Sequence, residues 1–393
     1  MNRIDFAANV KALVAARNGY RCSFPECDQT TIGPSSGEAA SVSTGVAAHI
    51  YSASPGGPRG QADLSSDQLC GVANAIWLCA DHSRLIDANR GREFSPALLL
   101  SYKAAHEALI GFEQRGVQYS FGWLQSLTVQ ESPVFARGAR LELAQTTVVS
   151  GGNASGKTAL CEWLAGCAEL SFLKRWAVHG KRRTRTQVRF SAMNPLPLTW
   201  TIRIFDETNI QFDVNDSAVP RLNIQHKFVY APAPPSRKPD ETISQYLARW
   251  FRVDTSLIRN VVRSLAAHGG YRVNNPRFTV IDGREDLLVD VDGTIPGLGF
   301  FDLSGSEQQR VVLELAIELA RYEAARSPTM LLIDCMTGFD QEHFEDYVRF
   351  LTSQPFQVLL TITEGNIDLQ RVSLDGLHVA TLRGSISDVT IGS

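Results

Sequence analysis

The sequence predicts a mixed α/β and α+β protein in two domains, a small metal-stapled unit followed by a larger one built on a mainly parallel sheet. Three observations carry this expectation. The chain has 393 residues, more than one hydrophobic core usually supports. Two pairs of soft ligands, Cys22 with Cys27 and Cys79 with His82, lie early in it, about fifty residues apart. A β-branched run, Thr146-Thr147-Val148-Val149, ends in a glycine-rich turn and leads into the helical pattern from Ala159 to Leu170, the strand-loop-helix order of a parallel sheet.

Composition narrows the class. With 44% apolar and 20% charged residues the chain reads as soluble and globular. No stretch approaches the roughly 18 uninterrupted apolar residues of a membrane span, so no membrane partner is expected. Met1-Asn2-Arg3-Ile4-Asp5-Phe6 lacks the apolar core of a signal peptide, and seven cysteines are an odd number spread along the chain; a reducing cytoplasm fits. The net charge of -3 excludes a chain-wide attraction to polyanions. One local patch remains. Between Leu170 and Phe205 there is no acidic residue, whereas Lys174, Arg175, Lys181, Arg182, Arg183, Arg185, Arg189 and Arg203 are basic. The run reads either as a solvated loop or as a surface for DNA.

Along the chain, Asp5 to Arg17 has a helical pattern stopped by Asn18-Gly19, and Ser95 to Phe112 has another. Turn formers fill residues 31 to 45 and Ser54-Pro55-Gly56-Gly57-Pro58 between them. These features place one domain at residues 1–116 and a second at 117–393. Within the second, Asp240 to Ala267 is helical in pattern and predicts a compact helical insert near 236–270.

Gly151-Gly152-Asn153-Ala154-Ser155-Gly156-Lys157-Thr158 has Walker A spacing. Glycines let backbone amides curl around a phosphate, Lys157 reaches the β and γ oxygens, and the Thr158 hydroxyl takes one position on Mg²⁺ (or Mn²⁺). Downstream, Leu303-Ser304-Gly305-Ser306-Glu307-Gln308-Gln309-Arg310 opens an amphipathic helix with Ser304 as a natural N-cap. Met330-Leu331-Leu332-Ile333-Asp334 reads as a buried strand ending in a carboxylate, and Gly338-Phe339-Asp340 follows it. In this order the motifs resemble the ABC, SMC and RecF-like ATPase heads over roughly residues 123 to 390. The resemblance implies ATP as cofactor, held by Gly151, Asn153, Ser155, Gly156, Lys157, Thr158 and Asp334. It also implies a homodimer in which Ser304 and Gly305 of one copy close on the γ-phosphate of the other. Cys335 stands where most members carry the glutamate that polarises water, so slow or absent hydrolysis is expected; Glu364 is the candidate substitute. About 145 residues from Thr158 to Leu303 are too few for a long coiled-coil arm.

The four soft ligands Cys22, Cys27, Cys79 and His82 suit one tetrahedral structural Zn²⁺. Cys70, Cys161, Cys167 and Cys335 have no such partners and read as small core residues. The runs Arg17 to Cys27, Gly45-Val46-Ala47-Ala48-His49-Ile50, Gly56-Gly57-Pro58-Arg59, Asn74-Ala75-Ile76-Trp77-Leu78-Cys79 and Leu85-Ile86-Asp87 resemble a bacterial branch of the HNH (ββα-metal) nucleases. By that resemblance His49 is the general base, Asn74 holds the loop that orients it, and Asp87 is the nearby carboxylate for a divalent metal. Ala48 and Ser83 stand where many members place metal ligands. The union of the two modules resembles Septu-type anti-phage systems. It implies an ATP-gated endonuclease acting on invading DNA, with a higher oligomer or a defence partner protein as further options. A non-catalytic, ATP-dependent DNA sensor or scaffold is the alternative.

Overall fold

The computed structural model describes residues 4–25, 27, 29–37, 40–115, 123–177, 185–194, 196–336, 340–363, 365, 367–385 and 387–392. They form two compact units. The first comprises residues 1–124, 189–204 and 208–225, and the second 125–188, 205–207 and 226–393. Among the described residues no helix is long and apolar enough to cross a membrane.

In the first unit the strands Gly45–His49 and Ala75–Cys79 pair antiparallel, and the helix Ala80–Leu85 follows directly. Every residue of Ala75–Cys79 is buried. Helix Ala8–Arg17 lays Val14 and Ala15 on that strand, where they meet Phe6, Ala75 and Trp77. Gly45 is required here because a Cβ at this position would overlap the Trp77 ring. A second helix, Pro96–Arg115, is stitched to the same strand by a buried lysine. Lys103 Nζ donates to the carbonyl of Val72 and to that of Ala75, the latter at 2.7 Å. Burial holds its ammonium below the usual lysine pKa, and two carbonyl acceptors offset part of that cost.

The chain returns to this unit with an antiparallel meander of Leu196–Ile204, Ile210–Val214 and Ser217–Val219. Its tight turn places Asn215 and Asp216 at positive φ, which a two-residue hairpin demands. Tyr102 donates its hydroxyl to the Asn223 carbonyl, and Asn223 Nδ2 donates to Glu93 O at 3.2 Å. Residues 189–204 and 208–225 thus contribute to the same body as 1–115.

The second unit is organised by a parallel sheet in the order Lys227–Ala231, Thr329–Met336, Gln357–Thr363, Thr146–Gly151 and Leu377–Arg383, with Thr390–Gly392 added antiparallel. All six residues of Thr146–Gly151 are buried, as expected for a strand covered on both faces. Helices Lys157–Ala165, Gly305–Ala324 and Gln341–Thr352 pack against the sheet. The helical pattern read over 240–267 resolves into two helices, Ile243–Phe251 and Thr255–His268. They part at Arg252, whose left-handed conformation (φ 54°) ends the first helix. The second packs on a hairpin of Val273–Ile281 and Arg284–Val291.

Leu360 sits at the centre of this core with 0% exposure. Leu360→Ala is expected to lower the stability of the second unit by about 2–5 kcal/mol, read as a calorimetric shift of its unfolding transition.

Candidate functional site

In the second unit, strand Thr146–Gly151 runs into a loop whose backbone turns twice at positive φ, at Ala154 (62°) and Gly156 (96°), before helix Lys157–Ala165 begins. Gly156 has no room for a side chain, since a Cβ there would press on Phe135 and Val134. Asn153 and Ala154 are exposed at the turn, whereas Ser155 and Lys157 are buried. Lys157 Nζ curls back to donate to Gly151 O at 2.6 Å and Gly152 O at 2.7 Å. Ser155 Oγ is buried without a hydrogen-bond partner. A buried ammonium, an orphaned hydroxyl and a helix N-terminus converge on one loop. Together they offer donors and positive potential, the arrangement that suits a phosphate.

Asp334 stands at the carboxyl end of Thr329–Met336, accepting from Thr361 Oγ1 at 3.1 Å and from Tyr230 OH at 3.2 Å. Ser304 caps helix Gly305–Ala324 through a capping box: its hydroxyl accepts from Glu307 N at 3.4 Å, while Glu307 Oε2 accepts from Ser304 N at 2.6 Å. Ser304, Gly305 and Ser306 are exposed, so the helix end presents its polar groups to solvent. Gly338, Phe339, Glu364 and the side chain of Cys335 lie outside the described residues.

In the first unit the fold brings Cys22, Cys27, Cys79 and His82 together, their ligand atoms all within 4.8 Å of one another. Local structure explains the approach. Ser23 N donates to Trp77 O at 2.9 Å, which sets Cys22 beside the strand that ends in Cys79, and a turn from Phe24 brings Cys27 back. Buried Asn18 fixes the preceding corner, donating to Val14 O at 2.8 Å and accepting from Ser23 Oγ at 2.7 Å. His82 Nδ1 lies 3.2 Å from Cys79 Sγ and 3.6 Å from Cys22 Sγ, and Phe24 stacks on its ring at 4.0 Å. Burial pushes the Cys22 and Cys27 thiols up and the His82 imidazole down, so each favours its uncharged form. Three sulfurs and a neutral ring nitrogen at these separations fit a tetrahedral soft cation. Cys161 and Cys167 are buried in the second unit, and Cys70 lies near Asp67, where its thiol donates to the backbone carbonyl.

His49 ends strand Gly45–His49, its imidazole stacked 3.9 Å from the Phe6 ring at 15°. Asn74 is buried and bridges the loop that follows: it accepts from Tyr51 N at 2.7 Å and donates to Tyr51 O at 3.0 Å and Leu69 O at 2.9 Å. Asp87 has a partner that the sequence reading did not weigh. Arg59, with a side chain only 3% exposed, donates to Ile50 O, Ile86 O and His49 O at 2.5 to 2.9 Å, and to Asp87 Oδ1 at 2.6 Å. The guanidinium therefore ties the end of the His49 strand to the segment carrying Asp87. A fixed cation against this carboxylate opposes a second, divalent one there.

Three residues of the basic run are paired with acids, and Lys174 is exposed. Arg175 pairs with Glu162 at 2.9 Å, Arg189 with Asp216 at 2.9 Å and Arg203 with Asp213. Arg185 lies 5.0 Å over the Phe205 ring. Lys181, Arg182 and Arg183 lie outside the described residues. The acidic partners of Arg175, Arg189 and Arg203 lie before or beyond the run in the sequence.

No family model matches the sequence, and no curated protein matches it. Among solved structures, the chain is similar to an SMC head bound to the C-winged helix domain of ScpA (12% identity, 69% of this chain and 97% of that chain, TM-score 0.43). It is similar also to an SMC head domain from Thermotoga maritima (14%, 68% and 98%, 0.40) and to the recombination mediator protein RecF with ATP (14%, 70% and 100%, 0.43).

Asn74→Ala removes three hydrogen bonds, two of them to the backbone of Tyr51 in the loop after His49. It is expected to destabilise the first unit by about 1–3 kcal/mol, measured by denaturant unfolding followed through tryptophan fluorescence.

Proposed function

We propose that this chain is an ATP-gated protein that acts on DNA, its second unit binding ATP and its first carrying a zinc-stapled ββα module of nuclease type. The observation that carries the reading is the glycine-rich loop, where Lys157 and the partnerless Ser155 hydroxyl face a helix N-terminus. A triphosphate is the anion that this ammonium, hydroxyl and helix N-terminus suit. Thr158 and Asp334 are the residues that would hold its divalent cation, whose role is to neutralise charge between the phosphates. Ser304 and Gly305 are the proposed contact to a second copy, with Glu364 as the candidate carboxylate for hydrolysis.

In the first unit Cys22, Cys27, Cys79 and His82 are proposed to hold structural Zn²⁺. The ion would tie the turn that carries Cys22 and Cys27 to the end of strand Ala75–Cys79 and the helix that follows it. Phosphodiester cleavage is assigned to His49 as base, on a loop kept in shape by Asn74. Two such modules, carried by an ATP-dependent dimer, would reach opposite strands of a duplex. Defence against invading DNA is the role that the resemblance to Septu-type systems suggests. One observation favours the second reading, a non-catalytic sensor or scaffold: Asp87 is already committed to Arg59.

Two experiments test this. Metal analysis of the purified chain should find about one Zn²⁺ per copy, lost in Cys79→Ser together with a fall in melting temperature. A chain without zinc that melts normally would remove the staple. Plasmid cleavage with Mg²⁺ or Mn²⁺ should disappear in His49→Ala and change its ATP response in Lys157→Ala. Absence of cleavage by the wild type under every nucleotide condition leaves the sensor reading.

A further inference from the structure

Strand Thr329–Met336 lies between Lys227–Ala231 and Gln357–Thr363, and each neighbour sends one hydroxyl to the same carboxylate. Tyr230 OH donates to Asp334 Oδ2 and Thr361 Oγ1 to Oδ1. The grip falls where the pairing of Thr329–Met336 with Gln357–Thr363 shifts register, between Ile333 and Met336. Side chains thus connect three adjacent strands at a place where the regular ladder lapses.

Both donors are fixed by their surroundings. Thr361 is fully buried. The Tyr230 ring meets Phe172 edge-on at 5.1 Å, and the Arg252 guanidinium lies 3.7 Å over the other ring, Phe172. Burial above all, with smaller contributions from Cys161, Asp334 and Glu162 nearby, pushes the Tyr230 hydroxyl well above its ordinary pKa, so it stays protonated and donates its hydrogen bond to Asp334. A carboxylate oxygen has two acceptor positions, and one hydroxyl takes one of them. Among the described residues each Asp334 oxygen therefore keeps a position for a further donor while its orientation is already set.

We infer that Tyr230 and Thr361 are positioning residues for metal-bound nucleotide: they hold Asp334 in the orientation that accepts from water on the cation accompanying ATP. The inference rests on the ATP-binding reading above and adds two residues that no motif contains. A carboxylate left to rotate would have to be ordered at the moment of binding, which weakens the metal-dependent part of the affinity. A merely structural role would affect binding equally with and without metal.

The test is ATP affinity by calorimetric titration of the full chain in EDTA and in Mg²⁺, for wild type, Tyr230→Phe and Thr361→Val. Both variants keep shape and remove one hydroxyl. The expected result is an unchanged affinity in EDTA and a Mg²⁺ enhancement reduced about five- to tenfold by each substitution, the scale of one hydrogen bond to a charged group. An enhancement equal to wild type in Tyr230→Phe overturns the positioning role while leaving ATP binding intact. An equal loss in EDTA and in Mg²⁺ also overturns it, by assigning the hydroxyl to structure. No ATP binding by the wild type under either condition overturns the ATP reading itself, and the inference with it. Should Thr361→Val fail to fold, Tyr230→Phe alone decides, because its hydroxyl is the only group removed.

Discussion

Burial of the strand Thr146–Gly151 on both faces governs what the second unit can do. A strand covered on both sides has its backbone groups spent in the ladder and its side chains in the core, so polar chemistry is confined to the ends. At the carboxyl ends of the parallel strands the ladders stop, and there the chain places the loop after Gly151, the Asp334 carboxylate and the Thr361 hydroxyl. Beyond the strand, Phe135 and Val134 close over Gly156 and leave no room there for a side chain. Reactive groups and core are two aspects of one packing solution.

The first unit solves a different problem. Alongside its buried apolar residues, among them Ile50, Ile76, Leu78 and Leu99, buried polar side chains bond to backbone carbonyls. Lys103 reaches Val72 and Ala75, Asn74 reaches Tyr51 and Leu69, and Arg59 reaches His49, Ile50 and Ile86. Each satisfies carbonyls that no regular ladder takes up. Such bonds are directional, which gives irregular loops a definite shape where apolar contacts alone would leave several. The four soft ligands lie at one end of this framework, on segments whose approach is set by Asn18, Ser23 and Phe24.

Much of this was legible in the sequence because it is local. A glycine-rich turn after a β-branched run, a serine three residues before Glu307, and paired cysteines all announce themselves within a few positions. Helix limits shifted by one to a few residues, and the helical stretch over 240–267 broke at Arg252 because that residue takes a left-handed conformation no pattern of apolar residues encodes. What escaped was non-local. Arg59 looks like one more loop arginine until the fold buries it against Asp87, and Tyr230 and Thr361 are ordinary strand residues until three strands align around Asp334. The basic run likewise looked unopposed because Glu162, Asp213 and Asp216 lie outside it in the sequence. Pair partners distant along the chain leave no periodic trace.

The interleaving of the two units bears on how the protein is made. The first unit needs residues 189–204 and 208–225 in addition to residues 1–124. On the ribosome its opening segment therefore emerges about a hundred residues ahead of the strands that complete it. At typical synthesis speeds that is a wait of roughly 5 to 20 s. During the wait Cys22, Cys27, Cys79 and His82 have all left the tunnel, while Asn223, the partner of Tyr102, has not yet been added. The early segment must then be kept from non-native association by its own short-range contacts, and a thiol-rich cluster that can close on a metal ion is well suited to guard a nascent chain.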